Sequence, residues 1–351
     1  GISFNKNVLR YQEILEKHSP EFVYIEDYDS FKSLCSTDKE RYLNGDEELE
    51  RLINRDDVDI IVCATSGFAG LKTAYIASKT GKKILLANKE SIVVGGDLIL
   101  PLAKENNSEI IPIDSEHNAI FQCLSGEKGT EDVKSITITA SGGPFINTSL
   151  QKLKHVTVED ALNHPNWKMG SKVTIDSATL VNKCLELIEA RYLFDLDEKY
   201  FDLVIHPQSI IHSIVTYIDG SSLCQMSAPD MRVPVAHALS EENRIPIDFK
   251  DIDFSNLNLS FQEFPSDRFK IQDIAREVCN QGGFLGTVFN AANEVAVESF
   301  LNKEINFNEI YEVIYRTFDK NIMSKEVTIE SINEVDAQTR IHAQKVVKSF
   351  A

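Results

Sequence analysis

Short apolar runs alternate with helical stretches through the first 113 residues of the chain. Four runs rich in β-branched and aliphatic residues occupy 21–25, 58–64, 83–87 and 110–113. The apolar spacing between them is helical, as in residues 71–80. This alternation predicts a parallel sheet covered by helices on both faces, with ligand sites at the carboxyl ends of the strands. The turns at 64–70 and 88–91 therefore lie where a dinucleotide would bind.

The pattern changes after residue 113. Strand-like runs at 135–140, 203–206, 213–217 and 222–226, interrupted by a helix, predict an α+β middle domain at 114–244. Residues 245–267, with prolines and repeated Asp and Asn, predict a linker. Helical spacing at 271–281, 287–302, 307–319 and 335–350 predicts a C-terminal bundle at 268–351.

Charge and cysteine usage narrow the class of protein. The 351 residues carry a formal charge of -18, which argues against a nucleic-acid or anionic membrane partner, although a local cationic pocket can still bind phosphate. The six cysteines show no CxxC spacing, so we expect reduced thiols in a cytosol-like compartment. No apolar stretch reaches the roughly 18 residues that a membrane span needs, so we expect a soluble protein.

Three acidic residues form a candidate metal site. Asp114 and Glu116 lie two positions apart where a strand is predicted to give way to a loop, and Glu186 lies on the helix of the middle domain. Carboxylate oxygens, completed by hydroxyl or carbonyl oxygens of a substrate, suit Mg²⁺ or Mn²⁺. Ser115 lies between two of the acids and could meet the same substrate. The alternative is that Asp114 and Glu116 only cap a following helix.

A second group of side chains suits an anion. Asn182 and Lys183 share a helix face with Glu186, and Ser177 precedes them. Ser141 opens the small-residue turn 141–145, whose backbone amides could hold a phosphate. Amide, hydroxyl and ammonium donors together fit a phosphorylated substrate. The alternative for Lys183 is an ordinary solvated helix charge.

Three further segments allow only weaker interpretations. The loop 164–170 contains His164 and the only tryptophan, Trp167, and is either a lid or a surface loop with one buried aromatic. His212 is interpreted as structural, or as a residue behind the pocket. The motif at 290–294 is interpreted as ordinary helix packing with an exposed acid, Glu294.

Taken together, eight motifs identify a family. They are LANKES (86–91), PIDSEH (112–117), SGGPF (141–145), HPNWKMG (164–170), DSATLVNKCLE (176–186), HPQSIIHS (206–213), APDMR (228–232) and NAANE (290–294). In this order they closely resemble the 1-deoxy-D-xylulose-5-phosphate reductoisomerase family, and the resemblance covers essentially the whole chain. It implies an α/β fold with a Rossmann-like NADPH-binding domain at 1–113, a catalytic and connective domain at 114–244, the linker and the helical domain.

The resemblance also implies an activity and its partners. Family members rearrange 1-deoxy-D-xylulose 5-phosphate and reduce the product with NADPH to 2-C-methyl-D-erythritol 4-phosphate, a step of isoprenoid precursor synthesis. A divalent metal, Mg²⁺, Mn²⁺ or Co²⁺, is implied, as are a homodimer and a location in the bacterial cytoplasm or a plastid-type organelle. Nucleic-acid and membrane partners are not expected.

Residue roles carried over from the family fall into five groups. Lys89, Glu116 and Glu186 are implied to be catalytic, and Asp114, Glu116 and Glu186 to bind the metal. Substrate contacts are implied for Ser115, Ser141, His164, Ser177, Asn182, Lys183 and Glu186, and lid contacts for Trp167 and Met169. Cofactor contacts are implied for Lys6, Asn7, Ala64, Thr65, Ala87, Asn88, Lys89, Glu90 and Gly170.

The chain departs from the family at its beginning. The glycine-rich GxTGSIG turn that places a pyrophosphate at a helix N-terminus is absent, and we expect the sequence to be missing that strand-helix unit. Two other functions therefore stay open: a relative that binds a phosphosugar without catalysis, and another α/β dehydrogenase that acts on a phosphorylated hydroxy-ketone. Cys184 occupies a position usually filled by glycine.

Overall fold

The parallel strands of the N-terminal region form two separate three-stranded sheets. The computed structural model describes residues 1–35, 41–127, 129–167, 169–240, 243–249, 251–265, 270–318 and 326–350, and the backbone alone of Leu150. The first elements are β1 (Ile2–Phe4), α1 (Val8–Leu15), β2 (Val23–Ile25), α2 (Tyr28–Cys35), β3 (Tyr42–Leu43), α3 (Asp46–Ile53), β4 (Ile60–Cys63), α4 (Leu71–Ala77), β5 (Lys83–Leu86), α5 (Lys89–Glu105) and β6 (Glu109–Pro112). The sheet orders are β1-β2-β3 and β4-β5-β6. The predicted alternation is confirmed, but not as one sheet.

The two sheets pack mainly against different cores, although Tyr24 of β2 joins the larger one. Tyr11, Val23 and Tyr42 form a small cluster around the first sheet. Strands β4 and β5, by contrast, pack into the main core of the protein, which continues into the middle and C-terminal regions. The carboxyl ends of β4 and β5 are thereby fixed against the remainder of the fold.

The middle region is built on a five-stranded mixed sheet. Its elements are α6 (Ser115–Leu124), β7 (Val133–Ala140), α7 (Leu150–Leu153), α8 (Val158–Leu162), α9 (Ser171–Ala178), α10 (Val181–Leu193), β8 (Phe201–Ile205), β9 (Ile211–Tyr217), β10 (Ser222–Met226) and α11 (Arg232–Leu239). With a fifth strand, β11 (Gln262–Glu263), the strand order is β10-β9-β7-β8-β11, with β7 and β8 parallel and the other pairs antiparallel. All four strands predicted for this region are present.

Two segments for which the sequence predicts irregular structure contain regular elements. Helix α6 begins at Ser115, directly after β6, where a loop was expected. The segment predicted as a linker contributes the short strand β11 (Gln262–Glu263), which pairs with β8 at the edge of the sheet. Its last two residues, 266 and 267, lie outside the described part of the chain.

The C-terminal region is helical, as predicted. It contains α12 (Ile271–Gln281), α13 (Leu285–Leu301), α14 (Phe307–Thr317) and α15 (Ile329–Lys348); position 319, the predicted end of α14, lies outside the described residues. Helix α13 packs against α5, α14 and α15. It crosses α5 so closely that a Cβ on Gly286 would lie 1.9 Å from the Val93 carbonyl oxygen, so only glycine fits there.

No helix in the described ranges combines the length and apolarity that a bilayer crossing requires.

Candidate functional site

The three acidic residues singled out in the sequence lie together. Asp114 is the N-cap residue of α6, Glu116 lies in the first turn of that helix, and Glu186 lies in the middle of α10. One carboxylate oxygen of each lies within 4.8 Å of the others. The Glu186 side chain is 1% exposed. Helices α6 and α10 therefore bring together carboxylates about seventy positions apart in sequence.

Two lysines partly neutralise this carboxylate cluster. The Lys89 ammonium group lies 2.5 Å from Asp114 Oδ2 and 3.0 Å from Glu186 Oε1. The Lys183 ammonium group lies 2.8 Å from Glu116 Oε1 and also contacts Glu186. Both lysines are buried, because each has two carboxylate partners that compensate the loss of water.

Burial and charge shift the pKa values of the cluster in opposite directions. Burial raises the pKa of Glu186, and the neighbouring Glu116 raises it further, against the lysines. Burial also acts to raise the pKa of Asp114, but Lys89 and His117 outweigh it and hold that pKa below its usual range. Burial acts to lower the pKa of Lys89, yet Asp114 and Glu186 raise it well above its usual value. Lys89 is therefore a cation in this site, and Glu186 gains from any further positive charge.

A second buried cluster lies behind the acids and was missed in the sequence. His117 Nε2 lies 2.9 Å from the Glu186 carbonyl oxygen, and Nδ1 lies 3.1 Å from Glu189 and 3.6 Å from Asp114. Burial acts to lower the pKa of His117, but Glu189 and Asp114 raise it to about 9. The signal was available: His117 and Glu189 each follow an acid of the cluster by three positions, the spacing of one helical face.

The anion-binding candidates meet at the other end of the same cavity. His164 Nε2 lies 3.2 Å from Ser141 Oγ and 3.1 Å from Ser177 Oγ. Burial lowers the pKa of His164. Asn182 instead turns toward the acids, where its amide donates to Glu186 Oε1 at 2.5 Å and accepts from Lys89 at 3.0 Å. Two hydroxyls and one imidazole thus converge, whereas Asn182 and Lys183 contact the acids.

The three acids, the two lysines and the anion-binding candidates line one cavity of about 240 Å³, whereas His117 and Glu189 lie outside its lining. Its walls include Lys89, Asp114, Ser115, Glu116, Ser141, His164, Trp167, Met169, Ser177, Asn182, Lys183, Glu186, Ser209 and His212. His212 is buried, lies 3.0 Å from Ser227 Oγ and lines the cavity, whereas the sequence interpretation placed it behind the pocket or in a structural role. Ser209 has a left-handed backbone (φ 52°) and was not selected from the sequence.

The loop that the family resemblance implies to be a lid forms part of the wall of this cavity. Trp167 and Met169 line its wall, and the Trp167 ring lies 6.3 Å from that of His212. Asn166 anchors the loop by donating to the Pro207 carbonyl oxygen at 2.7 Å. Lys168, in the middle of the motif, lies outside the described residues.

The residues selected for the cofactor lie in two places. Ala64 and Thr65 follow β4 and are exposed, while Ala87 and Asn88 follow β5 beside them. Asn88 caps α5 and donates to the Gly67 carbonyl oxygen at 3.1 Å.

Four further residues were predicted to contact the cofactor. Glu90 pairs with Lys172 at 2.6 Å, and Gly170 is the N-cap residue of α9. Lys6 and Asn7 connect β1 to α1 and so belong to the other sheet; Asn7 caps α1 and Lys6 lies 3.7 Å from Asp27.

The interpretation of the 290–294 motif is wrong. Asn290 and Asn293 are fully buried, and the Glu294 side chain is only 16% exposed. Glu294 accepts a hydrogen bond from the backbone of Phe68, next to the cofactor candidates. The helical periodicity of this segment could not show that its polar side chains face another part of the fold.

Family models and known proteins agree on what this chain is similar to. The model of 1-deoxy-D-xylulose 5-phosphate reductoisomerase matches residues 1–96, and two C-terminal domain models of that enzyme match 110–194 and 226–342. The reductoisomerase of Chloroherpeton thalassium is 45% identical over 88% of this chain and 80% of its own. That of Clostridium perfringens is 43% identical over 97% of this chain and 90% of its own.

Solved structures give the same result. A crystal structure of DOX-P reductoisomerase in complex with NADPH, fosmidomycin and magnesium superposes with a TM-score of 0.91 at 36% identity, covering 99% of this chain and 90% of the other. The Zymomonas mobilis enzyme in complex with NADPH gives 0.89 at 37% identity, covering 99% and 91%. This chain therefore belongs to the 1-deoxy-D-xylulose 5-phosphate reductoisomerase family.

Proposed function

We propose that this protein isomerises 1-deoxy-D-xylulose 5-phosphate and reduces it with NADPH to 2-C-methyl-D-erythritol 4-phosphate, in a reaction that requires a divalent metal. The observation that carries the proposal is one cavity that holds three converging carboxylates at one end and two serine hydroxyls with a histidine at the other. A phosphorylated hydroxy-ketone has the matching chemistry, with oxygen ligands at one end and a dianion at the other.

The carboxylate cluster fits a hard dication. Asp114, Glu116 and Glu186 offer only oxygen ligands. The pKa of Glu186 is raised by burial and by Glu116 in spite of the two lysines, so a further positive charge would stabilise its ionised form. Mg²⁺ or Mn²⁺ suits such a set, with Co²⁺ as a further candidate. A dication bound there would polarise the substrate's carbonyl and neighbouring hydroxyl oxygens.

The chain's own residues supply the other functions. Ser141, Ser177 and His164 bind the phosphate together with Asn182 and Lys183, and Ser115 contacts the substrate from the first turn of α6. Lys89, held as a cation, stabilises negative charge that develops on the substrate oxygens. Trp167 and Met169 cover the cavity and exclude water from the reacting carbon atoms.

The cofactor is proposed to bind along the carboxyl ends of β4 and β5. Ala64 and Thr65 are exposed there, and Ala87 and Lys89 connect this edge to the cavity. Backbone at the carboxyl ends of parallel strands is the usual place for a dinucleotide. The nicotinamide end would then reach the substrate past Lys89, while Lys6 and Asn7 serve the adenosine end.

A phosphosugar-binding protein without turnover is the second candidate. It is favoured by the separation of the sheet β1-β2-β3, which carries Lys6, from the sheet β4-β5-β6, which carries Thr65. In that case the cavity would bind the phosphosugar while the dinucleotide bound weakly or not at all.

Product analysis separates the candidates. The protein is incubated with 1-deoxy-D-xylulose 5-phosphate, NADPH and Mg²⁺, and the products are identified by mass spectrometry and NMR. The reductoisomerase proposal requires 2-C-methyl-D-erythritol 4-phosphate with equimolar NADPH oxidation. Tight phosphosugar binding by calorimetry without NADPH binding or turnover would select the second candidate. A different reduced product from the same substrate would instead indicate another dehydrogenase.

We also propose that the protein is a homodimer paired along β10. Within the described residues β10 pairs only with β9, and Leu223 and Ile218 are exposed at this edge of the sheet. A second copy related by a two-fold axis could extend the sheet and cover both side chains. Leu223→Lys is expected to convert dimers to monomers in analytical ultracentrifugation, whereas Ile341→Lys, at an exposed position of α15, should leave the dimer intact. Equal sedimentation of Leu223→Lys and wild type would reject this interface.

A further inference from the structure

Helix α13 reaches the turn that follows β4 through one side chain. The Phe68 backbone N–H donates to Glu294 Oε1 at 2.8 Å, although the two residues are 226 positions apart. Asn290 donates to the same oxygen at 3.0 Å, and Arg340 of α15 donates to Oε2 at 2.6 Å. Glu294 is thus held from two sides while it satisfies a backbone donor of the turn.

The turn and the carboxylate fit without space for a larger residue. Gly67 has a left-handed backbone (φ 74°), and a Cβ there would lie 2.8 Å from Glu294 Oε1. Glycine at this position therefore allows both the left-handed backbone and the close approach of the carboxylate.

The neighbouring residue, Asn293, starts a second connection. Its amide donates to Asp176 Oδ1 at 2.9 Å, and Asp176 Oδ2 pairs with Lys172 at 2.8 Å. Lys172 also pairs with Glu90 at 2.6 Å. Asp176 and Glu90 are nearly fully buried, so each depends on the shared ammonium group for its charge.

The second connection ends at the same turn as the first. Glu90 Oε2 accepts from the Asn88 amide at 2.9 Å, and the same amide donates to the Gly67 carbonyl oxygen at 3.1 Å. Adjacent residues of α13 therefore fix both segments that follow β4 and β5: Glu294 directly, and Asn293 through Asp176, Lys172 and Glu90.

We propose that Asn293 and Glu294 are positioning residues for the cofactor. They set the shape of the turn 65–68 and of the Asn88–Lys89 segment, so that these backbone groups present one fixed surface to the dinucleotide. The inference rests on the proposed NADPH-dependent function, because neither side chain lines the substrate cavity.

The test compares Glu294→Ala with a matched control in the same helical region. Asp336 is a nearly buried acid of α15 that contacts Arg340, as Glu294 does, but makes no bond to the turn. We expect Glu294→Ala to weaken NADPH binding about tenfold, the equivalent of one unsatisfied buried donor. Asp336→Asn should leave NADPH binding unchanged. Glu294→Gln, which keeps an oxygen for Phe68, should restore most of the affinity.

The measurements are NADPH titrations by fluorescence and hydrogen exchange of the turn, with Mg²⁺ and phosphosugar affinities as internal references. Faster exchange at Phe68 and a higher NADPH dissociation constant in Glu294→Ala alone, with both reference affinities unchanged, would support positioning. Equal NADPH affinity in wild type and Glu294→Ala, or equal weakening in Asp336→Asn, would overturn it. A wild-type protein that does not bind NADPH would instead overturn the proposed function and this inference with it.

Discussion

Replacing Glu186 by glutamine should remove metal binding while leaving the fold intact. At the 4.8 Å within which the oxygens lie, each of the two carboxylate neighbours of Glu186 repels it by about 3.5 kcal/mol at an effective dielectric constant of about 20. The Lys89 ammonium group, 3.0 Å away, attracts it by about 5.5 kcal/mol on the same basis, and Lys183 adds a similar attraction. Burial of the carboxylate costs several kcal/mol more.

These opposing contributions nearly cancel in the metal-free protein. The raised pKa of Glu186, caused by burial and by Glu116, agrees with that balance. Glu186→Gln keeps the shape of the side chain, so we expect the unfolding midpoint to change by no more than about 5 °C.

The attraction between a bound dication and the Glu186 carboxylate is not cancelled in this way. The carboxylate oxygens lie within 4.8 Å of one another, so an ion among them is closer than that to each, and a charge of +2 gains at least about 7 kcal/mol from one carboxylate at the same dielectric constant. Glu186→Gln removes this attraction, and the loss of even half of it corresponds to a more than 100-fold weaker Mg²⁺ affinity. Isothermal titration with Mg²⁺ and differential scanning calorimetry measure the two quantities on one sample.

A suitable control is Glu198→Gln, which removes a carboxylate that pairs with Arg276 and does not line the cavity. It should leave Mg²⁺ affinity and turnover unchanged. A Glu186→Gln protein that binds Mg²⁺ within about threefold of wild type would refute the assignment of this carboxylate as a metal ligand.

Two further predictions concern the anion site and pH. Ser177→Ala should raise KM for the phosphosugar about tenfold by removing one donor to the phosphate, with little change in Mg²⁺ affinity; an unchanged KM would place the phosphate elsewhere. The pKa of His117 is raised from 6.5 to about 9, so the folded state holds this proton more tightly than the unfolded state. Its contribution to stability is complete below pH 6.5 and is lost as the pH rises through 9. Urea unfolding between pH 6 and 10 should show this decline in wild type and a flatter profile in His117→Gln, and parallel profiles would contradict it.

Local patterns in the sequence were sufficient for most of the fold. Strands such as β5 and β10, and helices such as α12, are defined by the period of their own apolar positions, so they could be predicted within a few residues. The separation of β1-β2-β3 from β4-β5-β6 could not be predicted, because the period of a strand does not identify the strands that pair with it. Strand β11 was missed because a strand of two residues is too short to show a periodic pattern.

The site was predictable where its residues have an unusual chemical character. Asp114, Glu116 and Glu186 could be recognised as a group of acids, and the family motifs indicated the other site residues. The pairing of Lys183 with Glu116 was not predictable, because a helix pattern shows which residues share a face but not what that face meets. The same limit explains why Glu294 was interpreted as an exposed acid. His117 and Glu189, by contrast, could have been found from their spacing of three positions from Asp114 and Glu186.

Because Lys183 contacts two carboxylates, it can couple the binding of the metal to the binding of the phosphate. One ammonium group has three protons to donate, and here two carboxylates already engage it. A cation that takes over those carboxylates leaves Lys183 available to an incoming dianion, and the dianion in turn draws Lys183 away from the acids. Occupation of either end of the cavity thus prepares the other end, so the two ligands should assist each other although they need not touch.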